Sequence, residues 1–276
     1  MTNDQLRAKA DQLRRDVARM IGPEKVGHLG GSCSLADIVA VLYYKVMRHD
    51  PARPGWEGRD RFLLSKGHAA LIQYAALGDL GYYFPREEAG TLKALGSRLQ
   101  GHPDMRLPGI EANTGSLGQG LSIACGMAAG VRLSGLSGRV YCCVGDGELA
   151  EGQIWEAAMS ASAFALANLT VFVDSNGLQA TGTIRERFGT HPHGDKFRAF
   201  GWHVERCDGH DVEAIQAAIR VCHAQAEKPS VILARTVKGK GFAFAENNAA
   251  FHNGAMTRAQ YEQAISHEPM IGGEGA

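Results

Sequence analysis

The sequence lacks an excess of charge of either sign, and this shortage excludes two classes of protein. Its 29 Lys and Arg residues are balanced by 29 Asp and Glu residues, so the formal net charge is zero. A balanced surface gains little from phosphate backbones or anionic lipid headgroups, which argues against a nucleic-acid-binding protein and a polybasic membrane protein. Any anion that this protein binds must therefore be held by local groups.

Paired cysteines and long apolar runs are missing as well. The six cysteines contain no CxxC pair, so neither a disulfide framework nor a zinc site is expected. The first 22 residues are charged and amphipathic and do not resemble a signal peptide. No apolar run approaches the length of about 18 residues that a membrane span needs. We therefore expect a reduced, cytoplasmic location.

Aromatic residues make up only 7% of the chain and there are nine prolines, but there are 35 glycines in 276 residues. This glycine content is roughly twice the average, and it follows no collagen period. We find no internal repeat and no low-complexity linker, so the glycines are expected in turns and ligand loops. We predict one α/β domain over residues 1–268 and a disordered tail over 269–276.

The second half of the chain alternates short strands with helices. Such a rhythm, with β-branched residues in the strands, predicts a parallel central sheet with helices on both faces. In the first half, a helix is predicted over 4–20, followed by a glycine-dense loop, VGHLGGSCS, and a helix capped by Ser34 or Asp37. The predicted strands are RFLLS, RVYCCV, LTVFVDS, WHVERC and SVILART.

Two of these strands are followed by residues that suit a metal and a diphosphate. Asp146 lies between Gly145 and Gly147 after RVYCCV, and Asn176 follows LTVFVDS. Ligands of parallel sheets bind beyond the carboxyl ends of the strands, where a carboxylate and an amide oxygen suit Mg²⁺ and the glycines let a diphosphate approach. Alternatively, these are ordinary turns in which Asp146 caps a helix and Asn176 adopts a left-handed conformation.

The combination of GDG with an Asn about 28 residues later resembles the signature of thiamine-diphosphate enzymes. The surrounding sequence, GDGELAEGQIWEAAMSASAFALANLTVFVDSNGLQATG, is similar to that of the transketolase family. The resemblance covers residues 6–265, and further motifs follow in the family's order: KVGHLGGSCSLADIVAVLY, RDRFLLSKGHAAL, QGHPD, NTGSLGQGLSIACGMA, FGWHVERCDGHD and KPSVILARTVKGKG.

The resemblance implies that this chain binds thiamine diphosphate through Mg²⁺, or Ca²⁺ or Mn²⁺ in its place. Asp146 and Asn176 would ligate the metal through their side chains, and Leu178 through its backbone carbonyl. Leu117 would lie near the pyrimidine, and Ser116 stands where many relatives have proline. The residues implied to contact the cofactor are His68, Gly115, Ser116, Leu117, Gly145, Gly147, Glu148 and Asn176.

Three histidines each follow a glycine, namely His28, His68 and His102. In transketolases the matching residues line the channel to the reactive carbon, where a group that titrates near neutral pH can exchange protons with sugar hydroxyls. His252 is the only candidate for the family's late histidine, although its surroundings do not reproduce the family pattern and it could match a neighbouring position. The family match also implies a structural role for His210.

Other polar residues suggest weaker expectations. His191 and His193 could mimic a metal pair, but their spacing in a proline turn predicts solvent exposure. Glu151 is implied to lie at a subunit interface, where buried acids couple two catalytic cofactors in relatives, and Glu156 could join it.

The family's pyrimidine-binding domain, whose glutamate activates the cofactor, has no counterpart in this sequence. We therefore expect a chain that is inactive alone, binds sugar phosphates, and pairs with a separate C-terminal transketolase subunit in an α2β2 assembly. The alternatives are a 1-deoxyxylulose-5-phosphate synthase-like subunit, a 2-oxoacid dehydrogenase E1 α subunit, or a non-catalytic stabilising subunit. His28 and His102 argue against the E1 α alternative, and Asp146 and Asn176 argue against the non-catalytic one.

Overall fold

A five-stranded parallel sheet forms the centre of the protein. A computed structural model describes residues 1–83, 88–187, 189 and 191–266. The strands of the sheet are β2 (Arg61–Leu64), β3 (Val140–Gly145), β4 (Leu169–Ser175), β7 (His203–Asp208) and β8 (Ser230–Arg235). They lie in the order β2-β3-β4-β8-β7, in which every neighbouring pair is parallel. This confirms the predicted α/β fold and all five predicted strands.

Helices cover both faces of this sheet, because the strand side chains alternate between two apolar cores. On β4, Phe172 belongs to one core, whereas Val171 and Val173 belong to the other. The first core packs against α1 (Asn3–Ile21), α2 (Leu29–Cys33), α3 (Ala36–Val41), α4 (Ala70–Asp79), α9 (Val212–His223) and α10 (Arg258–Ile265). The second core packs against α5 (Gln119–Leu133), α6 (Gly152–Ala163) and α8 (His193–Ala199).

Short elements complete the described chain. Two antiparallel pairs lie outside the main sheet: β1 (Val26–Gly27) with β9 (Gly254–Ala255), and β5 (Leu178–Gln179) with β6 (Gly182–Thr183). The remaining helical segments are α7 (Ile184–Arg187), a π-helical turn (Leu42–Val46), and 3₁₀ turns at Gly67–Ala69, Ala89–Thr91, Gly147–Ala150 and Ala249–His252.

The capping prediction for the second helix is wrong. The glycine-dense segment is already helical over Leu29–Cys33, and the next helix begins at Ala36 without a side-chain cap. Ser34 instead donates to Asp174 at 2.6 Å, and the Asp37 carboxylate pairs with the Arg14 guanidinium. Long-range partners thus take both side chains away from the helix terminus. The predicted disordered tail, 269–276, lies outside the described residues.

Within the described parts of the chain, no helix combines the length and the apolar character needed to cross a membrane.

Acid should destabilise the fold partly through His223, at the end of α9. Its Nε2 lies 2.8 Å from the Tyr141 hydroxyl, and burial, assisted by the charge of Arg139, lowers its pKa to about 4 from 6.5. The unfolded chain then takes up a proton more readily than the folded one. The stabilisation is complete above pH 6.5 and is lost as the pH falls towards 4.

Between pH 7 and pH 5, His223→Gln should therefore lose less unfolding free energy than the wild type. The difference should be no more than about 1 kcal/mol, because the ring is partly exposed. Urea unfolding at the two pH values measures this difference. His191→Gln is the control, since His191 is exposed. Identical pH dependence in the wild type and His223→Gln would contradict the assignment.

Candidate functional site

The GDG turn and the Asn176 turn meet at the carboxyl edge of the sheet. In the β3–β4 pairing, Gly145 lies opposite Asp174, so Asp146 and Asn176 follow adjacent strands at the same level. The Asp146 carboxylate accepts hydrogen bonds from the Gly177 N–H at 2.6 Å and from the Gly147 N–H at 2.9 Å. Sequence reasoning placed these groups together, and the strand register accounts for their proximity.

Asp146 is also the capping residue of the 3₁₀ turn Gly147–Ala150, as the alternative interpretation required. It is nevertheless 3% exposed, and burial together with the neighbouring charge of Asp174 raises its pKa to about 7. A carboxylate that caps a solvent-exposed turn would not lose hydration and would not have a raised pKa. A buried carboxylate of this kind gains from a nearby cation.

The donors present at this edge fit a hard divalent cation. They are the Asp146 carboxylate, the Asn176 amide oxygen and the Leu178 carbonyl, all oxygen atoms of the kind that Mg²⁺ and Ca²⁺ prefer. In the described ranges, no group of three or more His, Cys, Asp or Glu side chains could hold a metal. The mixed set with only one carboxylate is therefore the best candidate for a cation site in the described chain.

The four histidines named from the sequence form one cluster beside this edge. The ring centroid of His28 lies 5.5 Å from that of His68, 6.0 Å from that of His102 and 5.8 Å from that of His252. The His68 and His252 centroids are 4.8 Å apart. The 3₁₀ turn Ala249–His252 brings His252 into the cluster, although its local sequence is a poor match to the family pattern.

All four imidazoles have lowered pKa values, and burial is the main cause in each. The pKa is about 4 for His28, about 2 for His68 and about 4 for His252, and it is also lowered for the exposed His102. Nearby ammonium groups add to this effect: Lys93 and Lys238 on His28, and Lys66 on His68. At neutral pH the cluster is therefore uncharged and accepts hydrogen bonds, and the pKa values of His28, His68 and His252 lie below the near-neutral range expected from the sequence.

Two buried lysines belong to the site and were missed by the sequence analysis. Lys238, which is 2% exposed, lies with its Nζ 3.1 Å from the Leu178 carbonyl and 2.8 Å from His252 Nδ1. It thus connects the candidate metal ligands with the histidine cluster. Lys66, also 2% exposed, pairs with Asp174 at the end of β4. Both lysines follow the carboxyl ends of strands, and this position in the sequence could have identified them as candidate site residues.

The glycines of HLGG make room for these side chains. A Cβ at Gly30 would meet Lys238 Cγ at 3.0 Å, and one at Gly31 would meet His68 Nε2 at 3.3 Å. The helix α2 can therefore lie directly against the cluster. A methyl group at either position would push against a functional side chain.

Glu148 joins the GDG turn to the GSLG turn. Its carboxylate is 2% exposed and accepts from the Ser65 hydroxyl at 2.5 Å, the Gly118 N–H at 2.8 Å and the Gly145 N–H at 3.1 Å. Burial raises its pKa. Within the GSLG turn, Gly115 lies against the ring of His102, while Ser116 and Leu117 are exposed at the surface. Gly147 packs against the side chain of Gln179.

Gly67→Ala should damage this site, because a Cβ at residue 67 would lie 2.6 Å from the Thr114 carbonyl carbon, just before the GSLG turn. Backbone cannot yield as a flexible side chain does, so we expect a loss of about 1–3 kcal/mol in the free energy of unfolding. Chemical denaturation measures the change.

Gly126→Ala provides the matched control, because its Cβ points into open space on helix α5. It should stabilise the chain by about 0.5–1 kcal/mol, as alanine does in a helix interior. Equal stability of the two variants would contradict the close approach at residue 67.

Two expectations from the sequence have different outcomes. His193 is 3% exposed, so the predicted solvent exposure of this residue is wrong, whereas His191 is exposed. His193 is buried because it begins helix α8, whose first turn packs on β7 and β8 near Gly194. Glu151, directly before α6, and Glu156, within it, are both exposed, and Glu151 packs beside Gly118 of the GSLG turn.

His210 lies outside the histidine cluster and joins two elements. Its Nε2 accepts from the Val237 N–H at 2.8 Å, so its Nδ1–H donates to the Asp37 carboxylate, also at 2.8 Å. Asp37 in turn pairs with Arg14 of helix α1. His210 therefore connects helix α3 with the segment that follows β8.

The fold is that of a thiamine-diphosphate-binding domain, and comparisons with known proteins specify the family. Residues 7–268 match the family model described as "Transketolase, thiamine diphosphate binding domain". The chain belongs to the transketolase family and corresponds to its N-terminal, thiamine-diphosphate-binding part.

Two relatives match along nearly their whole length. The 6-deoxy-6-sulfo-D-fructose transketolase subunit of Clostridium sp. (strain MSTE9) is 45% identical, with 95% of each chain covered. An apulose-4-phosphate transketolase subunit of Phocaeicola vulgatus is 37% identical, with 96% of this chain and 94% of the relative covered. Among solved structures, the transketolase of Campylobacter jejuni is 32% identical, with a TM-score of 0.90; 96% of this chain matches 43% of that longer one.

Proposed function

We propose that this chain is the cofactor-binding subunit of a two-chain transketolase, which transfers a two-carbon ketol unit from a ketose phosphate to an aldose. The observation that carries the proposal is the direct connection between the candidate metal ligands and the four-histidine cluster through Lys238. A metal-diphosphate site alone suits many reactions. Uncharged histidines beside it suit hydrogen bonding to the hydroxyls of a sugar.

Thiamine diphosphate, when bound, supplies the thiazolium carbon that takes up the two-carbon unit. Asp146, Asn176 and the Leu178 carbonyl would hold Mg²⁺, or Ca²⁺ or Mn²⁺ in its place. The Lys238 ammonium donates to the Leu178 carbonyl and therefore lies beside the candidate metal ligands. From this position it would offset part of the negative charge of the diphosphate. Gly115, Ser116 and Leu117 would lie along the cofactor, with the exposed Leu117 close to its pyrimidine.

The histidine cluster would hold and move protons at the substrate. Because burial keeps the imidazoles of His28, His68 and His252 uncharged at neutral pH, each can accept a hydrogen bond from a sugar hydroxyl, and an imidazole that is protonated during the reaction would return the proton readily. His102 lies at the exposed rim, where it can contact an entering sugar. These four residues are the proposed catalytic histidines.

A separate subunit would complete the site. The chain spans 43% of the single-chain transketolase of C. jejuni, but about 95% of two relatives that are named as subunits. This pattern supports a partner chain that carries the pyrimidine-binding domain. The two chains would form an α2β2 assembly, to which this chain contributes its domain over residues 1–268. Glu151, exposed beside the GSLG turn, would face that interface. The predicted cytoplasmic location stays a prediction.

The names of the two relatives support an anionic sugar as the donor. One relative is named for a sulfonated fructose and the other for apulose 4-phosphate. The histidine cluster would contact hydroxyl groups common to such ketoses. Groups that distinguish one anionic end from another would come from the partner.

Cofactor binding tests this proposal. Thiamine diphosphate is titrated calorimetrically into the chain together with the partner encoded by the neighbouring open reading frame, with Mg²⁺ or with EDTA. We expect binding that requires the metal. Equal binding in EDTA would refute the metal site, and no binding with Mg²⁺ would refute the cofactor assignment.

A further inference from the structure

A fully buried carboxylate lies directly behind the candidate metal ligand Asn176. Asp174, at the end of β4, has no exposed surface and is separated from Asn176 by one residue. Its Oδ2 accepts from the Ser34 hydroxyl at 2.6 Å and from Asn176 Nδ2 at 3.0 Å. Its Oδ1 accepts from the Thr236 hydroxyl. The carboxylate is thus fixed from several sides.

The ammonium of Lys66 supplies the opposite charge. Its Nζ pairs with Asp174 Oδ2 and donates to the Gly31 carbonyl at 2.9 Å, and no more than 2% of either residue is exposed. A second buried carboxylate near Asp146 would otherwise compete for a cation. Paired with Lys66, Asp174 acts as a hydrogen-bond acceptor for its neighbours.

This acceptor determines which end of the Asn176 amide faces the metal site. An amide presents either its oxygen or its NH₂ group, and only the oxygen can ligate a cation. Because the carboxylate only accepts, the Nδ2 group must face Asp174. Oδ1 is left on the opposite side, where it accepts from the Leu178 N–H at 3.1 Å. Both local hydrogen bonds therefore select the same orientation.

We propose that Asp174, held by Lys66, is a positioning residue that fixes the amide orientation of Asn176 and thereby determines the metal affinity of the site. The inference rests on the proposed function, because it needs a metal at Asn176. It assigns a role to Asp174 and Lys66, which are not among the proposed metal ligands. Groups that orient metal ligands typically change metal affinity by about 10- to 100-fold when they are removed.

The decisive comparison is between Asp174→Asn and the swapped double variant Asp174→Asn with Asn176→Asp. In the single variant the carboxylate charge that holds the Asn176 Nδ2 group is lost, while the Leu178 N–H still favours the same orientation, so we expect metal binding to weaken by about 10-fold. In the double variant the carboxylate at 176 presents an oxygen to the metal whichever way it is turned, so orientation by residue 174 is no longer needed. Affinity should return.

Mn²⁺ binding to the assembly with its partner, measured by electron paramagnetic resonance at fixed thiamine diphosphate, is the readout. Thr236→Val is the matched control: it removes a hydrogen bond to the other Asp174 oxygen without touching Asn176, and its Mn²⁺ affinity should stay close to that of the wild type. Thermal melting confirms which variants fold. At saturating Mn²⁺, the activity of Asp174→Asn should recover most of the wild-type rate.

Unchanged Mn²⁺ affinity in Asp174→Asn overturns the proposal, and so does a folded double variant that stays as weak as the single one. If the single variant does not fold, hydrogen exchange of the Asn176 side-chain amide in the wild-type chain decides. Slow exchange supports the fixed orientation, and exchange at the rate of a solvated amide overturns it. A wild-type assembly that binds no metal at all would instead refute the proposed function.

Discussion

Asp146→Asn should abolish metal-dependent binding of thiamine diphosphate and lower the ketol-transfer rate by more than about 100-fold, the upper cost of losing a group that merely orients a ligand. The amide keeps the shape of the carboxylate but removes its negative charge. The melting temperature of the cofactor-free chain should change little, because an asparagine NH₂ group would face one of the two backbone N–H groups, of Gly147 and Gly177, that donate to Asp146, and this lost hydrogen bond offsets the relief of charge repulsion. Asp146 is a buried carboxylate beside the negative charge of Asp174, and asparagine relieves that repulsion.

Calorimetric titration of the cofactor and differential scanning calorimetry measure the two effects. Asp195→Asn serves as the control, because the Asp195 side chain is 65% exposed and pairs with Arg198 on the surface of α8. Its binding and melting should match those of the wild type. Retained cofactor affinity in Asp146→Asn would remove Asp146 from the metal site, and a large change in melting temperature would contradict the balance between lost repulsion and lost hydrogen bonding.

His28→Ala should lower the ketol-transfer kcat by about 100- to 10,000-fold, which is the usual contribution of a positioned proton-transfer group. His28 lies within 6.0 Å, centroid to centroid, of His68, His102 and His252, so its removal opens the cluster at its centre. The affinity for thiamine diphosphate should change little. The His28 side chain makes no capping hydrogen bond to α2, so the helix itself loses no contact of that kind.

Steady-state kinetics with a ketose phosphate donor, alongside cofactor titration, separate these effects. His191→Ala is the control, because His191 is an exposed histidine outside the cluster. It should leave kcat unchanged. A His28→Ala variant with wild-type turnover would exclude the proposed role, and one with lost cofactor affinity would assign His28 to binding.

The sequence could predict the sheet and the meeting of Asp146 with Asn176 for one physical reason. Parallel strands that are buried on both faces are nearly continuous apolar runs, and their carboxyl ends share one edge. Because Gly145 pairs with Asp174 in the sheet, the residues that follow the two strands, Asp146 and Asn176, lie close together. Glycine-containing turns after the strands could be recognised for the same reason.

Ser34, Asp37, Lys66 and Lys238 could not be assigned from local pattern alone. Helix-cap statistics describe neighbours along the chain, but Ser34 binds Asp174, 140 residues away, and Asp37 pairs with Arg14 and His210. A lysine after a strand is normally exposed to solvent. The burial of Lys66 and Lys238 could therefore be recognised only from the assembled sheet. The burial of His193 escapes local pattern similarly, because its helix packs on two distant strands.

The most direct test of the central claim measures ketol transfer by purified components. The chain, its separately purified partner, and an equimolar mixture of the two are each assayed with thiamine diphosphate, Mg²⁺, a ketose phosphate and an aldose. We predict no transfer by either chain alone and rapid transfer by the mixture, with loss of activity in EDTA. Full activity of this chain by itself, or an inactive mixture whose subunits form a stable complex with the bound cofactor, would contradict the account.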